Sequence, residues 1–297
     1  MPFDYLEARA RLFNTPLLVT PAKAAVLAEV LASRASWGWA VDIIAATDNP
    51  REGVEAGLGD AYRAGPDKIF AEADGVAVIR VRGTLVQRNG LEPHCGMTGY
   101  DGIGLKLDAA VADPSIRAVV LDIDSPGGQV PGCFDLADRI FAARDVKPVW
   151  AIVNETAASA AYALASQCDR VIVPRTGFAG SVGVVTMHVD WSRALDADGV
   201  KVTLIHAGAH KVDGTPYAPL PDEVREDIQA DIDAVRAIFV ETVARGRAMA
   251  PADVAATEAK TFLGGDAVAA GFADAVMAPE DAFQALLDAL DGRPVTA

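Results

Sequence analysis

Residues 117–167 read RAVVLDIDSPGGQVPGCFDLADRIFAARDVKPVWAIVNETAASAAYALASQ. Two runs rich in β-branched residues, RAVVLDID and PVWAIVN, are each followed by a segment whose apolar residues have helical spacing. Strands that alternate with helices in this way are typical of βαβ crossovers and a mainly parallel sheet. This stretch therefore predicts an α/β fold.

The same alternation extends to either side. It begins with VAVIRVRG after Gly75, includes the helical pattern IGLKLDAAVAD, and continues to about residue 206. Three further short runs, RVIVP, VGVVTMHVD and KVTLIHA, predict strands. Residues 222–247 then predict one long amphipathic helix with an acidic outer face, because their apolar side chains recur at helical spacing. This stripe comprises Val224, Ile228, Ile232, Val235, Phe239 and Val243.

Three parts are predicted along the chain. Residues 1–70 form an N-terminal helical segment and linker, in which PAKAAVLAEVLASRA begins with Pro21, a residue type favoured in the first helical turn. Residues 71–278 form the α/β domain, and residues 279–297 form a short C-terminal helix and tail. The prediction is an α/β domain with an N-terminal helical appendage.

Composition excludes several classes of protein. The chain has 297 residues, of which 51% are hydrophobic and 23% charged, so it can bury a large core and is not a disordered chain. Its 26 Lys and Arg against 41 Asp and Glu leave a net charge of −15, a poor balance for binding phosphate backbones. Residues 212–297 hold 16 acidic and 6 basic residues, which indicates a solvated outer face. Nucleic acid is not an expected partner.

Cysteine content and hydropathy bear on the location of the protein. Cys95, Cys133 and Cys168 are widely spaced and form no CxxC motif, so neither a disulfide framework nor a zinc site is indicated. The first residues, MPFDYLEARARLF, are interrupted by acidic side chains and predict neither a secretory signal nor a membrane anchor. No run reaches the roughly 20 apolar residues of a spanning helix. We expect a cytoplasmic protein without a membrane anchor.

Two consecutive glycines stand at the end of a predicted strand in LDIDSPGGQVPG, residues 121–132. Glycine permits backbone conformations that are barred to other residues, so Gly127 and Gly128 can turn their N–H groups towards a ligand oxygen. Donors of this kind form an oxyanion hole. An ordinary strand-to-helix turn punctuated by Pro126 has the same sequence features, so the glycines alone leave both interpretations open.

Ser159 stands at a predicted helix start in NETAASAAYALA, residues 154–165. Its small neighbours can leave the side chain open to a cleft, and the N–H of Ala160 points the same way. Ser159 is therefore a candidate nucleophile. Serine is also a preferred N-cap residue, which is the simpler interpretation of a serine at this place.

A loop punctuated by glycine and proline, HAGAHKVDGTPYAPLPDEV, carries Lys211 near its centre. A lysine can deprotonate a serine only if desolvation or nearby positive charge lowers its pKa from about 10.4 to roughly 7–8. Such a base would lie in a largely dry pocket. A solvated surface lysine is the alternative.

Histidine offers a competing base. The chain has four histidines, and His188, in a predicted strand, could complete a Ser-His-Asp triad. His94 lies in a loop expected to cover a cleft or to mediate contact, and His206 and His210 flank Lys211. For each of them a locally hydrogen-bonded histidine is the simpler interpretation.

The motifs DSPGG, TAASAAYALA, GSVGV and GAHKVDGTPY occur in an order that resembles the signal peptide peptidase A family of serine peptidases. Within that family the sequence is most similar to the phage head-maturation protease branch, phage protein C. The resemblance covers roughly residues 73–276, and the segment RARLFNTPLLVTPAKAAVLAEVL is similar to the opening of the phage branch. It implies a ClpP/crotonase-like α/β fold and a homo-oligomer, since family members assemble into rings.

The resemblance also implies roles for individual residues. Ser159 corresponds to the nucleophile and Lys211 to the general base of a Ser-Lys dyad. Ser181, in GSVGV, corresponds to the residue that orients the lysine, and a simple turn residue is the alternative for this position. The oxyanion hole corresponds to Gly127, Gly128 and the N–H of Ala160.

The sequence departs from the family pattern in two ways. The glycines that often follow the nucleophile are replaced by Ala160 and Ala161, which are still small. The membrane anchor of cell-envelope members is missing, as expected of a phage or prophage enzyme. The segment after Val276 is short, so a scaffolding extension is missing, separate or encoded in an overlapping frame.

The expected function is serine endopeptidase activity by a Ser-Lys dyad, without metal or organic cofactor, on phage or prophage capsid or scaffold proteins during head maturation. One alternative is a cytoplasmic peptidase that degrades signal peptides. A crotonase-type acyl-CoA enzyme is a second, although no basic cluster suits the nucleotide phosphates. A non-catalytic scaffold or portal-associated protein of capsid assembly is a third.

Overall fold

The computed structural model describes residues 16–20, 68–91 and 96–293. The chain divides into two compact units: a smaller one of Met1–Leu17 and Val184–Ile238, and a larger one of Leu18–Gly183 and Phe239–Ala297. Most of the predicted N-terminal helical appendage lies outside the described residues, and so does His94. Leu17–Val19, which is described, is a strand and not part of a helix. The division into residues 1–70, 71–278 and 279–297 stays a prediction.

Ten strands within the described ranges belong to one mixed sheet. They are β1 (Leu17–Val19), β2 (Ala71–Ala73), β3 (Val76–Val86), β4 (Met97–Gly99), β5 (Ala118–Gln129), β6 (Val149–Ala158), β7 (Arg170–Val173), β8 (Phe178–Gly180), β9 (Thr261–Leu263) and β10 (Ala275–Val276). The central order is β10-β7-β6-β5-β3-β2, and all these neighbours run parallel except β2, which is antiparallel to β3. The predicted α/β fold with a mainly parallel sheet is confirmed.

Within the described ranges the predicted helices are present, and three further short helices, at residues 192–197, 251–255 and 265–269, were not predicted. The helices are α1 (Tyr100–Ala112), α2 (Cys133–Ala143), α3 (Ala160–Ala165), α4 (Ser192–Ala197), α5 (Asp222–Arg247), α6 (Pro251–Ala255), α7 (Gly265–Ala269) and α8 (Pro279–Leu290), with a 3₁₀ turn at Ala209–Val212. In α5 the predicted stripe is less exposed than its acidic neighbours, and Phe239 and Val243 are fully buried. None of the helices in the described ranges is long and apolar enough to cross a membrane.

The core of the larger unit forms around the parallel strands. Helix α8 places Phe283 and Leu286 against Val120 of β5 and Ile152 of β6. Helix α3 packs on β5 and β6, and α2 packs on α3. Strands buried on both faces need continuous apolar runs, which are AVVL at the start of β5 and VWAIV at the start of β6.

Two strand predictions are wrong. VGVVTMHVD, residues 182–190, forms no strand, and Val185 makes an isolated antiparallel bridge with Leu17. KVTLIHA, residues 201–207, is exposed along its whole length and pairs with no strand in the described part of the chain. β-Branched composition indicates that a segment suits a half-buried pleated surface, but a strand also needs a partner, and this segment has none there.

Candidate active site

Ser159 stands at the junction between β6 and α3, in a backbone conformation that few non-glycine residues adopt. Its φ of 55° and ψ of −120° lie outside the helical and extended regions. Its N–H donates to the carbonyl of Gly180 at 2.8 Å, and its carbonyl accepts from Ala163 at 2.9 Å. Conformations of this kind cost about 1–3 kcal/mol and persist where the surrounding structure fixes them.

The hydroxyl of Ser159 is buried but not used by the fold. The residue has no exposed surface, and its Oγ finds no hydrogen-bond partner among the described residues. Ser159 occupies the N-cap position of α3 without making a side-chain capping bond. The simple N-cap interpretation is therefore wrong, and the hydroxyl is left available for chemistry.

Helix α3 is held in place by one large side chain among small ones. Tyr162 stacks on Phe272 with 4.9 Å between the ring centroids, and its hydroxyl donates to the Phe272 carbonyl at 3.0 Å. Ala160 and Ala161 are fully buried beside it. Because Ala160 is the first helical residue, its N–H has no acceptor within the helix and points out of the helix start.

The segment Ser-Pro-Gly-Gly continues strand β5 instead of forming the predicted turn. Gly128 pairs with Leu85 of β3, and a Cβ at this position would collide with the Leu85 carbonyl oxygen. Gly127 has a φ of 104°, and a Cβ there would collide with the Leu18 carbonyl oxygen. The glycines are required because other backbone approaches each of them closely.

Ser125 fixes the conformation of this segment. Its buried Oγ donates to the Gly83 carbonyl at 2.6 Å and accepts from the Gly127 N–H at 3.2 Å. The N–H of Gly127 is therefore already engaged inside the protein. Ser125 was not predicted as a site residue, although a serine beside Pro-Gly-Gly commonly bonds local backbone and its position in the sequence indicates this role.

The glycine segment lies next to the candidate nucleophile. Ser125 of β5 pairs with Ala157 of β6, two residues before Ser159. A Cβ at Gly127 would stand 3.0 Å from the carbonyl oxygen of Ala158. The structure thus brings Ser159, Ala160 and the glycine segment together at the carboxyl ends of two neighbouring parallel strands.

Ser181 is adjacent to Ser159 in the same unit. Strand β8 pairs with β6 so that Ala158 stands opposite Gly180, and Ser159 and Ser181 each follow directly. Ser181 is buried, has a φ of 60°, and donates its N–H to the Lys260 carbonyl at 3.0 Å. The orienting role of Ser181 stays a prediction, and the turn residue stays its alternative.

Lys211 belongs to the smaller unit. It lies in the 3₁₀ turn Ala209–Val212, its side chain is exposed, and its N–H donates to the Gly208 carbonyl at 3.3 Å. Gly208 itself has a φ of 101°, so the loop needs glycine before the turn. The assignment of Lys211 as general base stays a prediction.

The three described histidines make local hydrogen bonds, as the simpler interpretation predicted. His188 Nε2 pairs with the Thr215 carbonyl at 3.0 Å, and His206 Nδ1 pairs with the Gly208 carbonyl at 2.9 Å. His210 Nδ1 pairs with Asp213 at 2.7 Å, and this carboxylate raises the pKa of the imidazole. Because a hydrogen bond to one ring nitrogen leaves the other available, the triad built on His188 stays an alternative.

Cys133 is a buried cysteine in contact with the backbone of the candidate site. Its thiol is fully buried at the start of α2 and contacts the Ala160 carbonyl at 3.7 Å. Burial raises the pKa of Cys133 to about 12. Because the thiolate is the nucleophilic form, the thiol supports the backbone of α3 and does not compete with Ser159.

Comparisons with known proteins agree with this geometry. A model of peptidase family S49 matches residues 142–291, which include Ser159, Ser181 and Lys211. The chain is 43% identical to the head-tail preconnector protein GP5 of Enterobacteria phage P21 over 95% of its own length and 57% of that protein. It is 40% identical to capsid assembly protease C of Escherichia phage lambda, over 95% of its own length and 65% of that protein.

The chain is also similar to a more distant protease. Protease 4 of Haemophilus influenzae is 27% identical over 71% of this chain and 34% of that protein. The chain thus spans about three fifths of the length of the two phage proteins and less of protease 4. The family match confirms the ClpP/crotonase-like fold expected from the sequence motifs. The chain belongs to peptidase family S49.

Proposed function

We propose that this protein is a serine endopeptidase with Ser159 as its nucleophile. The observation that carries the proposal is the buried Ser159 hydroxyl, which has no hydrogen-bond partner in the described residues and stands in a strained conformation beside the glycine segment. A serine with a purely structural role would use its hydroxyl, since burying an unsatisfied hydroxyl costs free energy. Strain is retained in this way at functional sites.

In the proposed reaction Lys211 in its neutral form accepts the Ser159 proton while Oγ attacks the carbonyl carbon of the scissile peptide bond. The tetrahedral intermediate collapses, the protonated lysine gives its proton to the leaving amine, and an ester to Ser159 remains. Water, deprotonated by the lysine, then hydrolyses this ester and regenerates the serine. No metal or cofactor takes part in any of these steps.

The developing oxyanion is proposed to accept hydrogen bonds from the N–H groups of Gly128 and Ala160. The N–H of Gly127 donates to Ser125, so this glycine contributes by its conformation more than by its own donor. Each donor in such a hole is worth about 2.7–4 kcal/mol of transition-state stabilisation. The pairing of Gly128 with Leu85 holds the glycine segment in position before substrate binds.

The family resemblance supports Lys211 as the base and Ser181 as the residue that orients it. Lys211→Ala is expected to lower the cleavage rate by a factor of about 10² to 10⁴, the usual contribution of a general base. Lys201→Ala is the matched control, because Lys201 is also an exposed lysine of the smaller unit. Full activity of the Lys211→Ala protein would refute the dyad.

The proposed substrates are phage capsid or scaffold proteins. The support is the similarity to capsid assembly protease C of phage lambda over 95% of this chain. We also propose that the protein works as a homo-oligomer, because the smaller unit exposes an apolar segment that includes Val202, Leu204 and Ile205. Head proteins, and further copies of this chain, are therefore the proposed partners.

The experiment is co-expression of the wild-type chain or the Ser159→Ala variant with phage head proteins, followed by mass spectrometry of protein termini. We expect new termini with wild type and none with Ser159→Ala. Ser166→Ala is the control, because Ser166 is a buried serine at the other end of α3 whose Oγ donates to Ala163. Cleavage by a folded Ser159→Ala protein would overturn the proposal.

The co-expression experiment, together with an assay on a synthetic signal peptide, distinguishes the alternative functions. A peptidase for signal peptides would leave head proteins intact and would cleave a synthetic signal peptide in a Ser159-dependent manner. A non-catalytic assembly protein would produce no new termini with any variant, and head assembly would then tolerate Ser159→Ala.

A further inference from the structure

Strand β1 lies against the glycine segment of the candidate active site. The N–H of Thr20 donates to the Pro126 carbonyl at 3.2 Å, and β1 pairs with β5. The Leu18 carbonyl stands where a side chain at residue 127 would have to be. Leu18 and Val19 are buried, so this contact is a packed one.

The sheet topology shows which edge of β5 this strand uses. On one side, β3 pairs with β5 through Gly127 and Gly128. On the other side, β6 pairs with β5 only as far as Ser125, opposite Ala157. From Pro126 onwards β6 has left that edge, because its chain turns into Ser159 and α3. Residues 18–20 fill the edge that β6 leaves open.

A substrate needs the same edge. An extended peptide binds to a sheet edge through its main-chain hydrogen bonds. To bring its scissile carbonyl to Ser159 and to the N–H of Gly128, a peptide has to run along β5 from Pro126. The Gly127 position is flanked by the Ala158 carbonyl and by the Leu18 carbonyl, so β1 stands beside the residue that precedes the nucleophile.

We propose that the edge of β5 at residues 126–128 is the binding site for the substrate backbone, and that β1 occupies it as an internal pseudosubstrate. The peptidase is held closed while residues 18–20 pair with β5, and a head protein opens it by taking their place. This inference rests on the proposed function. It adds to that function the backbone site and the element that regulates access to it.

Substitution of Thr20 tests directly whether β1 occupies the edge of β5. Thr20→Pro removes the N–H that bonds Pro126, whereas Thr20→Ala keeps this N–H and serves as the matched control. The measurement is the rate at which a fluorophosphonate probe labels Ser159. Loss of one such hydrogen bond shifts an equilibrium by about two- to tenfold, so labelling of Thr20→Pro is expected to be faster than wild type by this factor. Equal rates for the two variants would overturn the proposal.

A second measurement does not depend on the Thr20 variants. Amide hydrogen exchange is measured in the Ser159→Ala protein, which is expected to be inactive, with and without a substrate peptide. This peptide spans a cleavage site mapped in the co-expression experiment. Displacement of β1 predicts faster amide exchange in residues 17–20 when this peptide is bound. Unchanged or slower exchange in β1 would show that the peptide binds elsewhere, and would refute the pseudosubstrate.

The two proposals fail in different ways. Suppose that wild type cleaves head proteins through Ser159, but that the amides of β1 exchange no faster with peptide bound. Then only the proposal that β1 is a pseudosubstrate is wrong. If neither wild type nor Thr20→Pro cleaves or is labelled at Ser159, the peptidase function is wrong and the pseudosubstrate is refuted with it.

Discussion

At the residue scale, Ser159 combines backbone strain with a hydroxyl that the fold leaves unused. Its conformation is fixed from both sides by hydrogen bonds to Gly180 and Ala163. Ala160 and Ala161 behind it leave no room for rearrangement, since both are completely buried. This rigidity places the hydroxyl before substrate arrives, which lowers the entropic cost of reaching the transition state.

Ser125 provides a prediction at this scale. Ser125→Ala removes the hydroxyl that joins the Gly83 carbonyl to the Gly127 N–H, and so loosens the glycine segment. We expect stability to fall by about 1–2 kcal/mol, because the buried Gly127 N–H and the half-buried Gly83 carbonyl lose their partner. We expect kcat to fall roughly tenfold or more while KM changes less, since the oxyanion donors are misplaced.

The check is steady-state cleavage of the mapped peptide together with thermal unfolding. Ser115→Ala is the control, because Ser115 is an exposed serine before the amino end of β5, whereas the glycine segment lies at the carboxyl end. An unchanged kcat in Ser125→Ala would show that Ser125 does not support the catalytic backbone.

Much of the candidate site could be predicted at this scale, but its conformation could not. The motifs locate Ser159, Ser181 and the two glycines, because small residues and glycines stand at strand ends in the sequence. The bond from Ser125 to Gly83 and the approach of Leu18 to Gly127 could not be predicted, since each joins segments distant in the chain. Local patterns carry no information about such contacts.

At the element scale, helix α5 is tied to the sheet by an ion pair. Arg247, whose side chain is 8% exposed, donates from Nη1 and Nη2 to Asp274 at 2.9 Å each. Asp274 also accepts from the Val171 N–H at 2.6 Å. Partial burial raises the pKa of Asp274, but the hydrogen bonds from Arg247 and Val171 lower it further, and the balance leaves this pKa below its ordinary value.

Asp274→Asn is therefore expected to destabilise the protein in a pH-dependent way. Near neutral pH we expect a loss of roughly 2 kcal/mol, because hydrogen bonds to charged groups are worth about 1.5–3 kcal/mol. A carboxylate whose pKa is lowered on folding stabilises the fold above its unfolded pKa of about 3.9, and this stabilisation is lost as pH falls through the folded pKa. Urea unfolding at several pH values measures the difference.

The difference in the free energy of unfolding between wild type and Asp274→Asn should thus become smaller below about pH 4. Asp253→Asn is the control, since Asp253 is an exposed residue of α6. If this difference in the free energy of unfolding stays constant down to low pH, the ion pair with Arg247 does not lower the pKa of Asp274.

The elements that could be predicted are those whose pattern lies within their own segment of sequence. Helix α5 was predicted with its observed bounds, because an amphipathic stripe is a property of the segment itself. The strands predicted at VGVVTMHVD and KVTLIHA were wrong, because strand formation needs a partner that residue preference does not supply. Strand β1 was not predicted, since it is a three-residue run whose pairing lies on β5, about a hundred residues away.

At the scale of the whole molecule, residues 200–207 form an exposed segment that carries several large apolar side chains, and such segments mark interaction surfaces. Ile205 is 97% exposed, and Val200, Val202 and Leu204 are exposed around it. Self-association would remove this surface from water. It is the structural feature behind the proposed homo-oligomer.

Ile205→Asp tests self-association without disturbing the core. Because the side chain is almost fully exposed, the fold of each copy should keep its stability, while a charge at a subunit contact would be costly to bury. Sedimentation velocity should show an oligomer for wild type and smaller species for Ile205→Asp. Val146→Asp, at another exposed apolar residue, is the control. A wild-type monomer would contradict the prediction.

The most direct measurement is labelling by a fluorophosphonate probe in a co-expression extract where head-protein cleavage is observed, with the labelled residue identified by mass spectrometry. We predict one adduct, on Ser159, and loss of both label and cleavage in a folded Ser159→Ala protein. Cleavage that continues in Ser159→Ala, or an adduct on another serine that tracks with activity, would contradict Ser159 as the nucleophile.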